Sequence, residues 1–527
     1  MAGLFCFGVE HRARAGLLVS MFGMSWKRRD VLKAIGAATA SLACERGEAE
    51  AEATTKAHRQ PNILVFLTDD HGQWLQEAYG NSEVHTPNMT RIASRGVRMN
   101  NAFTTTPVCS PARASFFTGR MPSQHGIHDW IEEKTQAYAA PWLKGQTLIS
   151  ELMKGAGYHT GLVGKWHCGF EREPRPGFDF WYSYWVSQYP HEGKQQFSDN
   201  GKLAEPEGFQ SPLLTDQALR FLKEHYAKPA TKEKPFFLFV GYTDTHTPHK
   251  QMPKDLADYY AGASFRDIPR EEFAATHGKP LIPVTNDAAA EREKLEQYYA
   301  SASAIDREVG RVLDDLAARG VLDETLVVYT GDHGLNAGHH GMWEKGNATQ
   351  PQNFLEESIR VPCSIAWPKG GVVQGMVSDA NVNHCDLFAT LLEVAGVPAS
   401  SAKRASINSP GVSYLAELRG RAAKKRDDAV FCEYGNARMM RADGYKLILR
   451  YPFRGVRFDN ELYDLKADPR ETKNIYGEAA HAQRVQRMTA RVDEHFARYS
   501  VPEHDGLHLE EQPMATPASP WLEAVKG

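Results

Sequence analysis

Three short apolar runs constrain this chain of 527 residues more than any other feature: residues 62–67, 235–241 and 325–330. None alternates between polar and apolar positions. A strand of that kind must be covered on both faces, which is the habit of parallel strands sandwiched between helices. Each run ends in a polar cluster: Asp69-Asp70-His71-Gly72, Thr243-Asp244-Thr245-His246, and Gly331-Asp332-His333-Gly334. In open α/β sheets the carboxyl ends of the strands are where ligands bind. Between the runs, residues 291–319 carry Leu295, Tyr298, Ala302, Ile305, Val309, Val312, Leu313 and Leu316 at helical spacing, an amphipathic packing helix. The patterns also predict helices over 85–96, 147–156 and 386–396, and strands over 97–103 and 158–164. The fold class is therefore α/β.

The strand ends hold groups that ordinary packing does not need. Two adjacent aspartates repel each other unless a cation lies between them, and hard divalent ions favour carboxylate oxygens. A solvated turn would read the same way at Asp69 and Asp70 taken alone. Lys165 and His167, two residues apart after the strand 158–164, share one face of an extended segment. Cys109 stands in Val-Cys-Ser-Pro-Ala-Arg. Such a cysteine is a small buried hydrophobe, half of a disulfide, or a nucleophile beside a cation. Arg113 lies one helical turn on, if a helix begins near Pro111, so its guanidinium can share a face with position 109.

Cys109-Ser-Pro-Ala-Arg113, continued by Ala-Ser-Phe-Phe-Thr-Gly119-Arg120, resembles the core motif of the type I sulfatases of the alkaline phosphatase superfamily. In that family the cysteine is oxidised after translation to formylglycine. Gly164-Lys165-Trp166-His167 resembles the second motif, and His246 before Thr247-Pro248 resembles the family's His-x-Pro, with Thr245 where proline is common. The motifs span residues 61 to about 475.

The resemblance implies an alkaline-phosphatase-like sandwich with a large mixed β-sheet flanked by helices, plus a small C-terminal α+β subdomain with a short antiparallel sheet. It implies one divalent metal, Ca2+ with Mg2+ as the second choice, held by Asp69, Asp70, Cys109 as formylglycine, Asp332 and His333. His333 stands where many members have asparagine. Formylglycine hydrate would attack sulfur, Arg113, Lys165 and Lys345 would clamp the sulfate, and His246 would protonate the departing alcohol, with His249 a lesser candidate. His167 would draw a proton from the second hydroxyl to release sulfate from a covalent sulfo-enzyme. His339 and His340 would shape the loop or touch substrate.

A formylglycine-dependent phosphonate or phosphate ester hydrolase shares this scaffold and is the first alternative. A silent carbohydrate-binding surface protein is the second. The implied substrate is a sulfated carbohydrate or another sulfate ester, and the aromatic stretch 170–210, with Trp181, Tyr182, Tyr184, Trp185 and Tyr189, reads as a packed surface loop or, by a small margin, as a sugar-stacking wall.

Residues 1–44 read as an export signal, with Met24 a plausible true start: Lys27-Arg28-Arg29 precedes a short apolar run, and the arginine pair resembles the twin-arginine signal. The protein is expected to be periplasmic or extracellular, with lipid anchoring at Cys44 a minor variant, and to meet the twin-arginine machinery and a formylglycine-generating or anaerobic maturation enzyme. The run is too short to span a membrane. Residues 45–60 read as a tether, 61–400 as the catalytic domain, 401–500 as the C-terminal subdomain with a helix around 481–498, and 501–527 as a loosely held tail. The seven cysteines show no Cys-x-x-Cys pair, so neither a zinc cluster nor a disulfide framework is indicated. A net charge of -4 gives no basic field for nucleic acid.

Overall fold

The apolar run that opens the analysis is the strand Asn62–Thr68, and it lies near the middle of a ten-stranded mixed sheet. The structure is a computed structural model that describes residues 60–526 apart from 187–189, 270 and 423–426. The export signal, Cys44 and nearly all of the tether therefore lie outside the described residues, as does Tyr189.

Asn62–Thr68 pairs in parallel with Phe236–Gly241 on one side and Thr325–Gly331 on the other, so the three apolar runs are adjacent. Their carboxyl ends consequently emerge at one edge. His159–Gly164 pairs in parallel with Phe236–Gly241 and brings a fourth polar strand end to the same edge. Alternation sorts the central side chains between two cores: Ile63, Val65 and Leu67 face one, Leu64 and Phe66 the other. The first core includes residues of the helices Cys109–Thr118, Ile149–Gly155 and His384–Val394. The second includes residues of Gln210–Ala227 and Ala288–Ala318. The latter starts at Asp287, whose carboxylate accepts from the backbone N–H groups of Ala289 and Ala290. This is the two-sided covering that the uninterrupted apolar runs demand.

The sheet is mixed because Cys363–Ala366 runs antiparallel between Thr325–Gly331 and Val97–Phe103, while Met376–Asn383 joins the far side of Val97–Phe103 in parallel. These two strands carry little apolar alternation, and neither is anticipated by the sequence pattern. A four-stranded antiparallel sheet follows: Val430–Tyr434, Ala437–Ala442, Tyr445–Arg450 and Glu461–Asp464. The helix Ala482–Tyr499 lays Met488, Val492 and Phe496 in the same core as residues of that sheet. No helix among the described residues is long and apolar enough to cross a membrane.

Two expectations are corrected. Three members of the aromatic stretch are not stacking residues: Trp181, Tyr182 and Tyr184 lie buried in the strand Phe180–Tyr184, the eighth in the sheet order, where their rings fill the two cores, while Trp185 is half-buried with the Arg172 guanidinium 5.0 Å over its ring. The tail is not loose. Glu132 N–H donates to Ala515 O at 3.1 Å, Val501 N–H to Ser123 O at 2.8 Å, and Trp521 packs edge-on to Tyr434. Its polar composition conceals a few buried anchors, and composition averages over them.

Buried neutral histidines predict acid sensitivity. Burial pushes His128 down to about 4, and His277 and His495 to about 3, against an ordinary 6.5. The unfolded chain takes up these protons near 6.5, the native chain only below about 4. Their contribution is thus complete above 6.5 and is lost as pH falls towards each folded-state value, by up to about 3 kcal/mol for His128 and about 5 kcal/mol for His277 and for His495. Thermal unfolding at about pH 7 and about pH 4.5 checks this. A midpoint that does not fall would contradict it.

Candidate active site

Cys109 is the first residue of the helix Cys109–Thr118, all ten of whose side chains are buried. Val108 before it is extended, and the helix closes at Gly119 with φ 68°. A Cβ on Gly119 would come within 2.4 Å of the Phe388 ring, so only glycine permits both the left-handed turn and the close packing. Arg113, one turn along, is fully buried. Its Nε donates to Asp332 Oδ2 at 2.8 Å and its Nη1 to Lys165 O at 2.8 Å, while Nη2 lies 3.8 Å from Asp69 Oδ1.

The strand ends supply the rest. Asp69 N–H donates to Tyr242 O at 3.0 Å and Asp332 N–H to Thr68 O at 3.0 Å, so the pairing of the three central strands continues into the site. Asp70 and His167 hold left-handed backbone, φ 52° and 53°, a strain that side chains other than glycine tolerate mainly where a site requires it. Lys165 Nζ donates to Asp69 Oδ2, and Lys345 Nζ to Asp70 Oδ1. Lys345 Nζ is also 3.4 Å from Cys109 Sγ, and His333 Nε2 is 3.3 Å from the same sulfur. His246 Nε2 lies 3.7 Å from Asp70 Oδ2, and its Nδ1 faces Thr247 O at 2.7 Å. A carbonyl only accepts, so Nδ1 carries the proton and Nε2 the lone pair. His167 Nε2 faces Ile131 O at 3.1 Å, and the ring feels the charges of Lys165, Asp69 and Arg113.

Electrostatics divides the three carboxylates. Burial alone would raise Asp69, but Lys165, His246, Arg113 and Lys345 outweigh it and hold the carboxyl well below its usual range. Burial dominates at Asp70 and pushes it well above, while burial and the neighbouring Asp69 raise Asp332 to about 7. Burial, then Asp69, pushes the Cys109 thiol up, and burial keeps His246 and His333 neutral.

The donor set fits a divalent cation. Asp69 Oδ1 and Asp70 Oδ2 are buried without a hydrogen-bond donor. His333 donates its Nδ1 proton to Gly334 O at 2.9 Å, which turns the Nε2 lone pair towards the carboxylates, 3.2 Å from Asp70 Oδ1. Ligand atoms of Asp69, Cys109, Asp332 and His333 lie within 4.8 Å of one another, as do those of Asp69, Asp70, Cys109 and His246. The three carboxylates and three cations, Arg113, Lys165 and Lys345, cancel as formal charges, so a bound divalent ion would leave the site positive and suited to an anion.

The structure thus brings Asp69, Asp70, Cys109, Arg113, Lys165, His246, Asp332, His333 and Lys345 into one cluster, with His167 at its border. His339 and His340 stand apart. His339 packs on Trp74 at a ring separation of 4.7 Å, and His340 Nε2 is held by Glu357 Oε2 at 2.8 Å. Sequence reasoning missed several supports. Tyr298 Oη donates to Asp70 O at 2.7 Å, Thr245 Oγ1 donates to Asp69 O, and Glu171 accepts from the backbone of His167 at 2.8 Å. Tyr298 looks like any apolar position of a packing helix, so only the fold reveals it.

A buried thiol ringed by three cations and three carboxylates, at the carboxyl edge of a mixed α/β sheet, defines a hydrolase for small anionic esters. The sulfatase family model matches residues 61–397, and a second model, the C-terminal region of N-sulphoglucosamine sulphohydrolase, matches residues 338–498. The chain belongs to the sulfatase family and is a sulfuric ester hydrolase with the alkaline-phosphatase-like fold.

Among similar proteins is the N-acetylglucosamine-6-O-sulfatase of Bacteroides thetaiotaomicron, 27% identical over 514 residues, which are 84% of this chain and 87% of the relative. Human N-acetylgalactosamine-6-sulfatase is 29% identical over 373 residues, 65% of this chain and 63% of the relative. A solved structure of a protein in complex with its substrate D-glucosamine-2-N,6-O-disulfate superposes with a TM-score of 0.70 at 24% identity, covering 84% of this chain and 98% of that one. The phosphonate monoester hydrolase of Agrobacterium radiobacter superposes at 0.65 with 19% identity, covering 83% and 96%. These two likenesses are of fold.

Proposed function

We propose that this enzyme cleaves a sulfate monoester on a sulfated carbohydrate, outside the cytoplasm, with formylglycine made from Cys109. The observation that carries the reading is the ring of Arg113, Lys165 and Lys345 around a buried position 109. The sulfated-sugar activities in the names of the relatives above support the substrate class.

Formylglycine, as its hydrate, supplies one hydroxyl for attack on sulfur and a second for releasing sulfate from the enzyme. Asp69, Asp70, Asp332 and His333 would hold one divalent cation, Ca2+ before Mg2+, which when bound draws charge from the ester oxygens. Lys165 and Lys345, each on one carboxylate, pin the equatorial oxygens, and Arg113 fixes Asp332 while facing the same centre. His246 Nε2, which faces the centre with its lone pair while Nδ1 stays tied to the Thr247 carbonyl, would take up the proton shed by the attacking hydroxyl and pass it to the departing alcohol. His167 takes the proton whose loss expels sulfate.

One preparation tests the reading: enzyme made with a maturation enzyme and recovered outside the cytoplasm. The peptide holding position 109 is expected to be lighter than the thiol form by about 18 Da, the difference between CH2SH and CHO. One tightly held Ca2+ per chain and a start beyond residue 44 are expected in the same sample. An intact thiol despite maturation would sink the formylglycine mechanism. Faster turnover of a phosphonate monoester than of any sugar sulfate would favour the second reading, which the fold shared with the phosphonate hydrolase keeps open.

A further inference from the structure

Three residues beyond His246 on the same loop stands His249, a ring that the mechanism above does not use. It is 6% exposed, against 9% for His246. Neither Nδ1 nor Nε2 has a hydrogen-bond partner among the described residues. Two aromatic rings hold it: Tyr298 edge-on at 4.9 Å between centroids and Trp343 at 5.4 Å. Both are anchored to the catalytic centre. Tyr298 donates to the Asp70 carbonyl, and Trp343 lies two residues before Lys345.

Leaving two buried nitrogens unpaired is costly, on the order of 1 to 3 kcal/mol for each polar group, and a ring serving only to pack would be better replaced by phenylalanine. Burial first, then the positive neighbours Lys294, His191 and Lys345, keep the imidazole neutral. A neutral imidazole offers one donor and one acceptor, the pair that a sugar hydroxyl or a vicinal diol complements. A plain aryl leaving group has no hydroxyl to pair with both nitrogens.

We propose that His249 is a specificity-determining residue that hydrogen-bonds hydroxyl groups of the carbohydrate leaving group beside the scissile ester. This rests on the sulfated-carbohydrate reading above. His249 sits in the wall formed by Tyr298 and Trp343, fixed in orientation by both rings, and selects alcohols bearing further hydroxyls over plain aromatic ones. A site built to pair with hydroxyls rejects an analogue lacking them more strongly than an apolar site can.

The test compares His249→Phe, which keeps a flat ring between Tyr298 and Trp343, and His249→Gln, which keeps one donor and one acceptor. Full-length matured enzyme is assayed on 4-nitrophenyl sulfate and on whichever sugar sulfate the wild type turns over best from a panel of hexosamine and galactose sulfates. For His249→Phe, kcat/KM on the sugar sulfate is expected to fall at least about tenfold, mainly through KM, with less than about twofold change on the aryl sulfate. His249→Gln is expected to recover part of the loss. Retained aryl turnover shows that the variant folds. Equal losses on both substrates, or no loss on either, would overturn the proposal. Wild-type turnover of aryl sulfate but of no sugar sulfate would instead overturn the reading beneath it, and this proposal with it.

Discussion

Replacing Cys109 by alanine is expected to lower kcat/KM on any sulfate ester by at least about 10^5-fold while leaving the thermal midpoint within about 2 °C of the wild type. The two halves of that expectation have separate causes. Position 109 carries the nucleophile in the proposed chemistry, and in nucleophilic enzymes loss of the attacking group costs roughly as much as loss of the whole catalytic unit. Stability should hardly change, because the thiol contributes one small buried group at a helix start and two contacts longer than 3 Å, to His333 and Lys345. Steady-state kinetics and differential scanning calorimetry together settle it. Residual turnover within tenfold of wild type would place the nucleophile elsewhere.

Arg113→Ala is expected to fail in the opposite manner, losing fold stability together with activity. The guanidinium is fully buried between Asp332 and Asp69 and also satisfies the Lys165 carbonyl. Removing it strands the buried Asp332 carboxylate and leaves Asp69 with Lys165 as its partner, a loss of about 3 to 5 kcal/mol for a broken buried ion pair. Arg113→Lys restores one positive charge but not the planar fork that reaches Asp332 and the Lys165 carbonyl at once, so it should regain less than half of the stability. Urea unfolding of the three proteins, with metal present, reads the difference through the midpoint at constant slope. If Arg113→Ala unfolded at the wild-type midpoint, the guanidinium would be an anion clamp with no part in holding the sheet edge together.

Much of this arrangement was legible beforehand because strands and loops play separate roles. Residues 62–67, 235–241 and 325–330 announced buried strands, since nothing else covers so short a run on both faces, and adjacency followed once they paired in parallel. The polar residues just past each run were then bound to converge. Thr245, Tyr298 and Glu171 were not legible, because each acts on a backbone group of another element, and pairing a side chain with a distant carbonyl leaves no periodic trace. The strands Cys363–Ala366 and Met376–Asn383 escaped for a related reason: they fill sheet positions set by the neighbours already in place. Trp181, Tyr182 and Tyr184 misled because aromatic clusters look alike whether they face sugar or core.

The small antiparallel sheet sets a clock on position 109. Its first strand, Val430–Tyr434, lies against the segment leading into position 109: Cys432 Sγ donates to Thr104 O across a sequence separation of 328 residues, and Phe103 and Val108 share its core. A ribosome adding about 5 to 20 residues per second takes on the order of tens of seconds to travel that far. Until then the packing of that sheet against residues 103–108 does not exist. Because Cys109 is buried in the finished fold, an enzyme that must modify this side chain meets it before that packing is complete, on the ribosome or in the released chain before it folds.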